Sequence, residues 1–88
     1  MDDVATIEAR LREALTPESL MITDDTAAHA GHRGEALGRG HYAVTIVSRR
    51  FEGRPLLARH RLVYEVLGEL MGREIHSLRI EALAPNEL

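Results

Sequence analysis

The sequence predicts one α+β domain over residues 1–88, ordered helix, strand, strand, short turn, helix, strand. Length, helical periodicity in two stretches and alternation in two others carry this reading. A chain of 88 residues lies below the usual domain size and supports a single core. Apolar residues recur at helical spacing near the N-terminus and again after Pro55, and alternate from His41 and from Ile75.

Val4, Ile7, Leu11, Ala14 and Leu15 predict a first helix over residues 3 to 15, with Asp2 or Asp3 capping its free amides. Thr16-Pro17 stops it, because proline disfavours helical backbone in the residue before it. A short strand, Leu20 to Thr23, follows. From Asp24 to Gly40 periodicity is lost and Gly31, Gly34, Gly38 and Gly40 accumulate, which marks a long loop. His41 to Val47 is a strand with Tyr42, Val44 and Ile46 on one face and Ala43, Thr45 and Val47 on the other. Ser48 caps a single turn ending at Gly53, and Pro55 sits in the first turn of the next helix. There Leu56, His60, Val63, Leu67 and Leu70 form an apolar stripe that Gly72 ends. The last strand runs from Ile75 to Leu83, with His76, Leu78, Ile80 and Ala82 on one face.

Composition narrows the function classes. No run approaches the roughly 18 to 20 apolar residues of a membrane span, and the N-terminus is acidic rather than signal-like. The absence of cysteine removes disulfides, thiolate nucleophiles and self-sufficient cysteine metal sites, which fits a cytoplasmic setting. A net charge of −3 argues against general polyanion binding, but the charge is uneven. Seven acids crowd residues 1 to 25, whereas Arg49, Arg50, Arg54, Arg59 and Arg61 face Glu52 alone between 49 and 61.

Five histidines are a rich supply for this length. His29, His32 and His41 occupy or flank the long loop, and imidazole is the commonest metal ligand. His76, at the start of the last strand, is the natural second ligand; its bland reading is a core-edge histidine. His29-Ala30-Gly31-His32 reads equally as a polar loop, since a structural zinc site wants four closed ligands. His60 lies on the apolar stripe and reads as structural, its ring hydrogen-bonded at the core margin. The arginine cluster reads as a solvated helix flank or as a phosphate-binding face at a helix amino end. Ser19, Ser48 and Ser77 lack a nucleophile-elbow context, so no enzymatic activity is expected.

Several segments together resemble the BolA family. They are Asp24-Asp25-Thr26, His29-Ala30-Gly31-His32, Gly40-His41-Tyr42, Val47-Ser48-Arg49-Arg50-Phe51-Glu52-Gly53, Arg59-His60-Arg61-Leu62-Val63-Tyr64 and Ile75-His76-Ser77-Leu78-Arg79-Ile80. Thr26 stands where a serine is usual, and Gly40 where serine or threonine is common. The resemblance implies a class II KH-like fold, a three-stranded sheet covered by helices on one face. It implies a monothiol glutaredoxin as partner and a bridging [2Fe-2S] cluster shared with the glutaredoxin thiol and glutathione. The BolA side would supply His76 and a loop histidine, His29 or else His32, in iron-sulfur trafficking or in iron and redox sensing. A second reading is a DNA-binding transcriptional regulator using Arg49, Arg50, Arg54, Arg59 and Arg61. The free protein is expected to be a monomer or weak dimer.

Overall fold

The computed structural model describes residues 3–26 and 40–88. Helix α1 (Asp3–Leu15) buries Ile7, Leu11 and Leu15, spaced by four along one face, over the span that periodicity predicts. Its end is set by Thr16, whose amide donates to the Arg12 carbonyl at 3.1 Å and whose φ is +39°. Pro17 denies Thr16 a right-handed helical conformation, so the chain leaves the helix there.

Strand β1 (Ser19–Asp24) is one residue longer at each end than predicted, because its register with β2 (His41–Val47) runs from Ser19↔Val47 to Asp24↔Tyr42. Tyr42, Val44 and Ile46 are buried on the face expected for them. The sheet order is β1-β2-β3, with β1 antiparallel to β2 and β3 (Ser77–Leu83) parallel to it. A parallel neighbour requires a crossover, and helix α2 (Leu56–Leu67) supplies it. The core lies between both helices and one sheet face: Ile7, Leu11, Leu15, Val63 and Leu67 meet Val44, Ile46 and Ala82, with Phe51 fully buried beneath.

Ser48 joins three elements. Its hydroxyl donates to the Leu15 carbonyl at 2.8 Å and accepts from the Arg50 amide at 3.1 Å, capping the 3-10 turn Arg49–Phe51 while closing the end of α1. Gly53 follows with φ +72°, the left-handed conformation expected of it.

Helix α2 buries Val63 and Leu67 of its predicted stripe, with Leu70 buried just beyond its end, and departs from it in the first turns. There Leu56 is 64% exposed and His60 half-buried, and Arg59 joins Val63 and Leu67 in the buried row. Arg59 is buried because its guanidinium finds the Glu87 carboxylate and the Ala82 and Arg54 carbonyls, whereas Leu56, in the first turn, lies beyond the core. The α-helix also ends at Leu67 rather than running to Gly72: Gly68 takes φ +49°, and a 3-10 turn, Gly68–Leu70, carries the chain on. Strand β3 accordingly starts at Ser77. Ile75, predicted to open the strand, is a buried plug forming an isolated parallel bridge with Met71. A final turn, Pro85–Glu87, folds back on α2 through Arg59 and Glu87.

Candidate functional site

Strands β2 and β3 begin side by side, and the Gly40 carbonyl ties their heads together. It accepts from the amides of His76, at 2.8 Å, and Ser77, at 3.1 Å. Gly40 has φ +76°, and a side chain there would run into the Glu74 carbonyl and crowd the His76 ring. Only glycine lets the two strand heads meet this closely. Gly40, one of the two departures from the family pattern, is therefore the residue that seats His76 beside β2.

His76 itself is exposed, not a core-edge side chain. It lines a cleft of about 520 Å³ with Asp3, Gly40, Arg73 and Glu74. Glu74 Oε1 is buried there without a hydrogen-bond partner among the described residues. The Tyr42 hydroxyl donates to Asp3 Oδ2 at 3.3 Å, which fixes the start of α1 over this end of the sheet.

His41, the first residue of β2, is half-buried and pairs with Ser77. Its backbone clamps the stem of the predicted loop: the His41 carbonyl accepts from the Asp25 amide at 2.7 Å, and its amide donates to the Thr26 hydroxyl at 3.2 Å. An Asx turn, with the Thr26 amide donating to Asp24 Oδ1 at 2.9 Å, holds Thr26 in place, and hydrogen bonding from the Thr26 side chain first and its amide second keeps the Asp24 carboxyl below its ordinary value. Thr26, standing for the usual serine, keeps the hydroxyl this clamp needs. His29 and His32 lie outside the described residues. Both ends of the segment that carries them are thus tied at the head of β2, next to His76.

Among the described residues no three or more histidine, cysteine, aspartate or glutamate side chains converge into a metal site. His60 is half-buried on α2, and its ring makes no hydrogen bond among the described residues, unlike the satisfied ring expected from its position.

The arginines do not form one face. Arg49 Nε bonds Glu18 at 3.2 Å, Arg50 Nη1 reaches the Ala14 carbonyl at 3.3 Å, and Arg54 and Arg61 are exposed. Arg59 is only 6% exposed. Its guanidinium donates to the Arg54 carbonyl (2.8 Å), the Ala82 carbonyl (3.0 Å) and both Glu87 oxygens (2.7 Å each). Those bonds occupy four of the five guanidinium N–H groups within the fold, so the phosphate-binding role expected of Arg59 is corrected to an internal clamp.

The BolA-like protein family matches residues 11–87. The chain belongs to the BolA family. BolA-like protein 1 of Mus musculus is 42% identical over 81 residues, covering 92% of this chain and 57% of that protein, so the chain spans little more than half that relative's length. The DNA-binding transcriptional regulator BolA of Vibrio cholerae is 36% identical over 81 residues, covering 92% of this chain and 74% of that protein. The solved BolA domain of SufE1 from Arabidopsis thaliana superposes with a TM-score of 0.87 at 34% identity, covering 100% of this chain and 98% of that one. The α+β arrangement predicted from the sequence is therefore that of BolA-fold structures. Among the described residues no helix of this BolA domain is long and apolar enough to cross a membrane.

Two functional features of the BolA domain escape sequence reasoning. Gly40 reads as one loop glycine among several, and its role needs the neighbouring strand to be in place. The Arg59–Glu87 pair links residues far apart in sequence; the Pro85-Asn86-Glu87 turn, with Glu87 accepting from the Ala84 amide at 2.9 Å, is the local signal that marks it.

Proposed function

We propose that this BolA domain partners a monothiol glutaredoxin and co-ligates a bridging [2Fe-2S] cluster, in iron-sulfur trafficking or in iron and redox sensing. His76 supplies one imidazole and His29 the other, with His32 as the substitute. The observation that carries this reading is the exposed His76 at the rim of an open cleft, with both ends of segment 27–39 fastened beside it. His29 stands three residues beyond Thr26, so chain geometry alone keeps its Cα within about 11 Å of that anchor; for His32 the bound is about 22 Å.

The donor set fits the group. Iron-sulfur clusters are held mainly by thiolates, and this sequence has none, so sulfur ligands come from the partner and glutathione while this chain adds imidazoles. The cluster supplies one-electron redox chemistry, and histidine ligation raises its potential. The chain's own task is to hold the His76 backbone rigidly through Gly40 while leaving the ring free to turn.

Co-expression with a monothiol glutaredoxin tests the reading. The expected product is a coloured heterodimer whose visible spectrum differs from that of the glutaredoxin homodimer. Replacing His76 with alanine should revert the spectrum, and of His29→Ala and His32→Ala the first should have the larger effect. A spectrum indifferent to His76→Ala overturns the proposal.

The naming of the Vibrio cholerae relative as a DNA-binding regulator favours a second reading, with Arg49, Arg50, Arg54 and Arg61 as phosphate contacts. Each alanine replacement should then reduce the salt dependence of DNA binding by about one ion. Gel shifts at two salt concentrations that show no salt-sensitive binding dispose of it.

A further inference from the structure

The two edges of the sheet are treated differently. The Asp25 amide donates to the His41 carbonyl within the β1–β2 register, so Ser19, Met21, Thr23 and Asp25 turn their backbone groups toward β2. Leu20, Ile22 and Asp24 therefore direct their N–H and C=O groups outward. On the opposite edge, the Ser77 amide and the Leu83 carbonyl both bond toward β2, which turns Ala82 outward. There Arg59 caps the Ala82 carbonyl, and the Pro85–Glu87 turn holds Arg59 in place. No comparable contact caps the outward groups of β1 among the described residues. The β1 edge also lacks the usual protections: Ser19–Asp24 contains no proline, no lysine and, before Asp24, no charge. Met21, beside this edge, is 65% exposed.

We propose that β1 is a self-association edge, pairing antiparallel with β1 of a second copy about a two-fold axis at Ile22. In that register Ile22 faces Ile22, Leu20 and Asp24 exchange backbone bonds with Asp24 and Leu20 of the second copy, and the three-stranded sheet becomes six-stranded. Side chains agree with the register. Met21 comes opposite Thr23 of the second copy, placing an exposed apolar group on a β-branched one. The carboxylate that each copy brings also has a cation to meet. Arg49, 80% exposed and paired with Glu18, stands at the Ser19 end of β1 that receives Asp24 of the second copy, where its guanidinium would bridge the Glu18 and Asp24 carboxylates and offset their mutual repulsion. The same contact repeats across the axis, as an isologous interface requires. Since β1 and β3 are opposite edges, the dimer leaves His76 open.

Amide exchange read by NMR, at concentrations from on the order of 10 µM to 1 mM, tests the pairing directly. The amides of Leu20, Ile22 and Asp24 should exchange roughly tenfold or more slowly at the high end, while those of Met21 and Thr23 are protected throughout. Sedimentation should show a reversible monomer–dimer equilibrium. Met21→Lys, which places a charge at an exposed site and spares the core, should weaken it about tenfold or more without changing the fold. A protein that stays monomeric across the range overturns the proposal and leaves the edge to an extended peptide of another protein. So does a dimer whose Leu20, Ile22 and Asp24 amides still exchange as freely as in the monomer.

Discussion

Arg59 Nη1 lies 3.0 Å from the Ala82 carbonyl, so a helix side chain completes the hydrogen bonding of an outer strand. With the guanidinium almost sealed from solvent, its removal strands that carbonyl and part of the Glu87 carboxylate. Arg59→Ala should lower Tm well beyond Arg61→Ala, whose side chain is exposed on the same helix. Arg59→Lys should not restore it, because an ammonium cannot reproduce the bidentate fork. Thermal denaturation of the three variants under one buffer condition checks the ranking.

The same clamp sets an acid limit. Glu87 is held at about 2, below its ordinary 4.5, first by the Arg59 hydrogen bond and then by the Ala84 amide. Glu69 is held at about 2 by its hydrogen bond and charge contact with Arg10. Both carboxyls are lowered by folding, so their contribution is complete above about pH 4.5 and is lost as pH falls toward 2. The urea midpoint should fall between about pH 5 and pH 3, and Glu87→Gln should flatten that fall while lowering the plateau near neutrality. An unchanged slope in Glu87→Gln would mean that other carboxyls govern acid unfolding. The Arg10–Glu69 pair is exposed, and salt should weaken its share first.

Gly40 offers a comparison internal to the chain. Gly40, Gly53, Gly68 and Gly72 all have positive φ, yet only at Gly40 does an added side chain meet anything. Gly53→Ala or Gly72→Ala should cost about 1 kcal/mol from backbone strain alone. Gly40→Ala should cost about 2 kcal/mol or more, because the Glu74 carbonyl must also move. It should further shift the NMR resonances of His76 and Ser77, whose amides share the Gly40 carbonyl. Equal destabilisation at the four positions would contradict the close approach.

Local patterns made much of this legible. The span of α1, the whole of β2, the Ser48 cap and the Gly53 turn depend on residues within a few positions of one another, where periodicity and capping chemistry act. What stayed hidden is non-local. The burial of Arg59 in α2 depends on Glu87, far along the chain, and the buried place of Ile75 on its bridge with Met71. Alternation from Ile75 puts His76 within the last strand, facing inward with Leu78; the strand instead begins at Ser77, so His76 lies just before the ladder, where parity no longer implies burial.

Ser48 is a small residue whose side chain, once lost, leaves two backbone groups without a partner. Its hydroxyl is buried and joins the Leu15 carbonyl to the Arg50 amide. Ser48→Ala leaves a buried carbonyl unsatisfied and an amide uncapped, for a cost of about 2 kcal/mol. Chemical denaturation should show a lower midpoint with an unchanged m-value, since the surface exposed on unfolding is the same.

His76 should separate stability from function. Its ring is exposed and its backbone bond to Gly40 does not depend on the side chain, so His76→Ala should change unfolding free energy by no more than about 0.5 kcal/mol. Histidine is a costly residue to replace only where its ring is packed or bonded, and here neither holds among the described residues. The same variant should abolish the spectroscopic change produced on mixing with a glutaredoxin that carries its cluster. His41→Ala should show the opposite split, since His41 is half-buried at the stem of segment 27–39 and contributes to the fold. If His76→Ala destabilises as much as His41→Ala, the exposed imidazole is a structural group and cannot be the ligand that reaches outward.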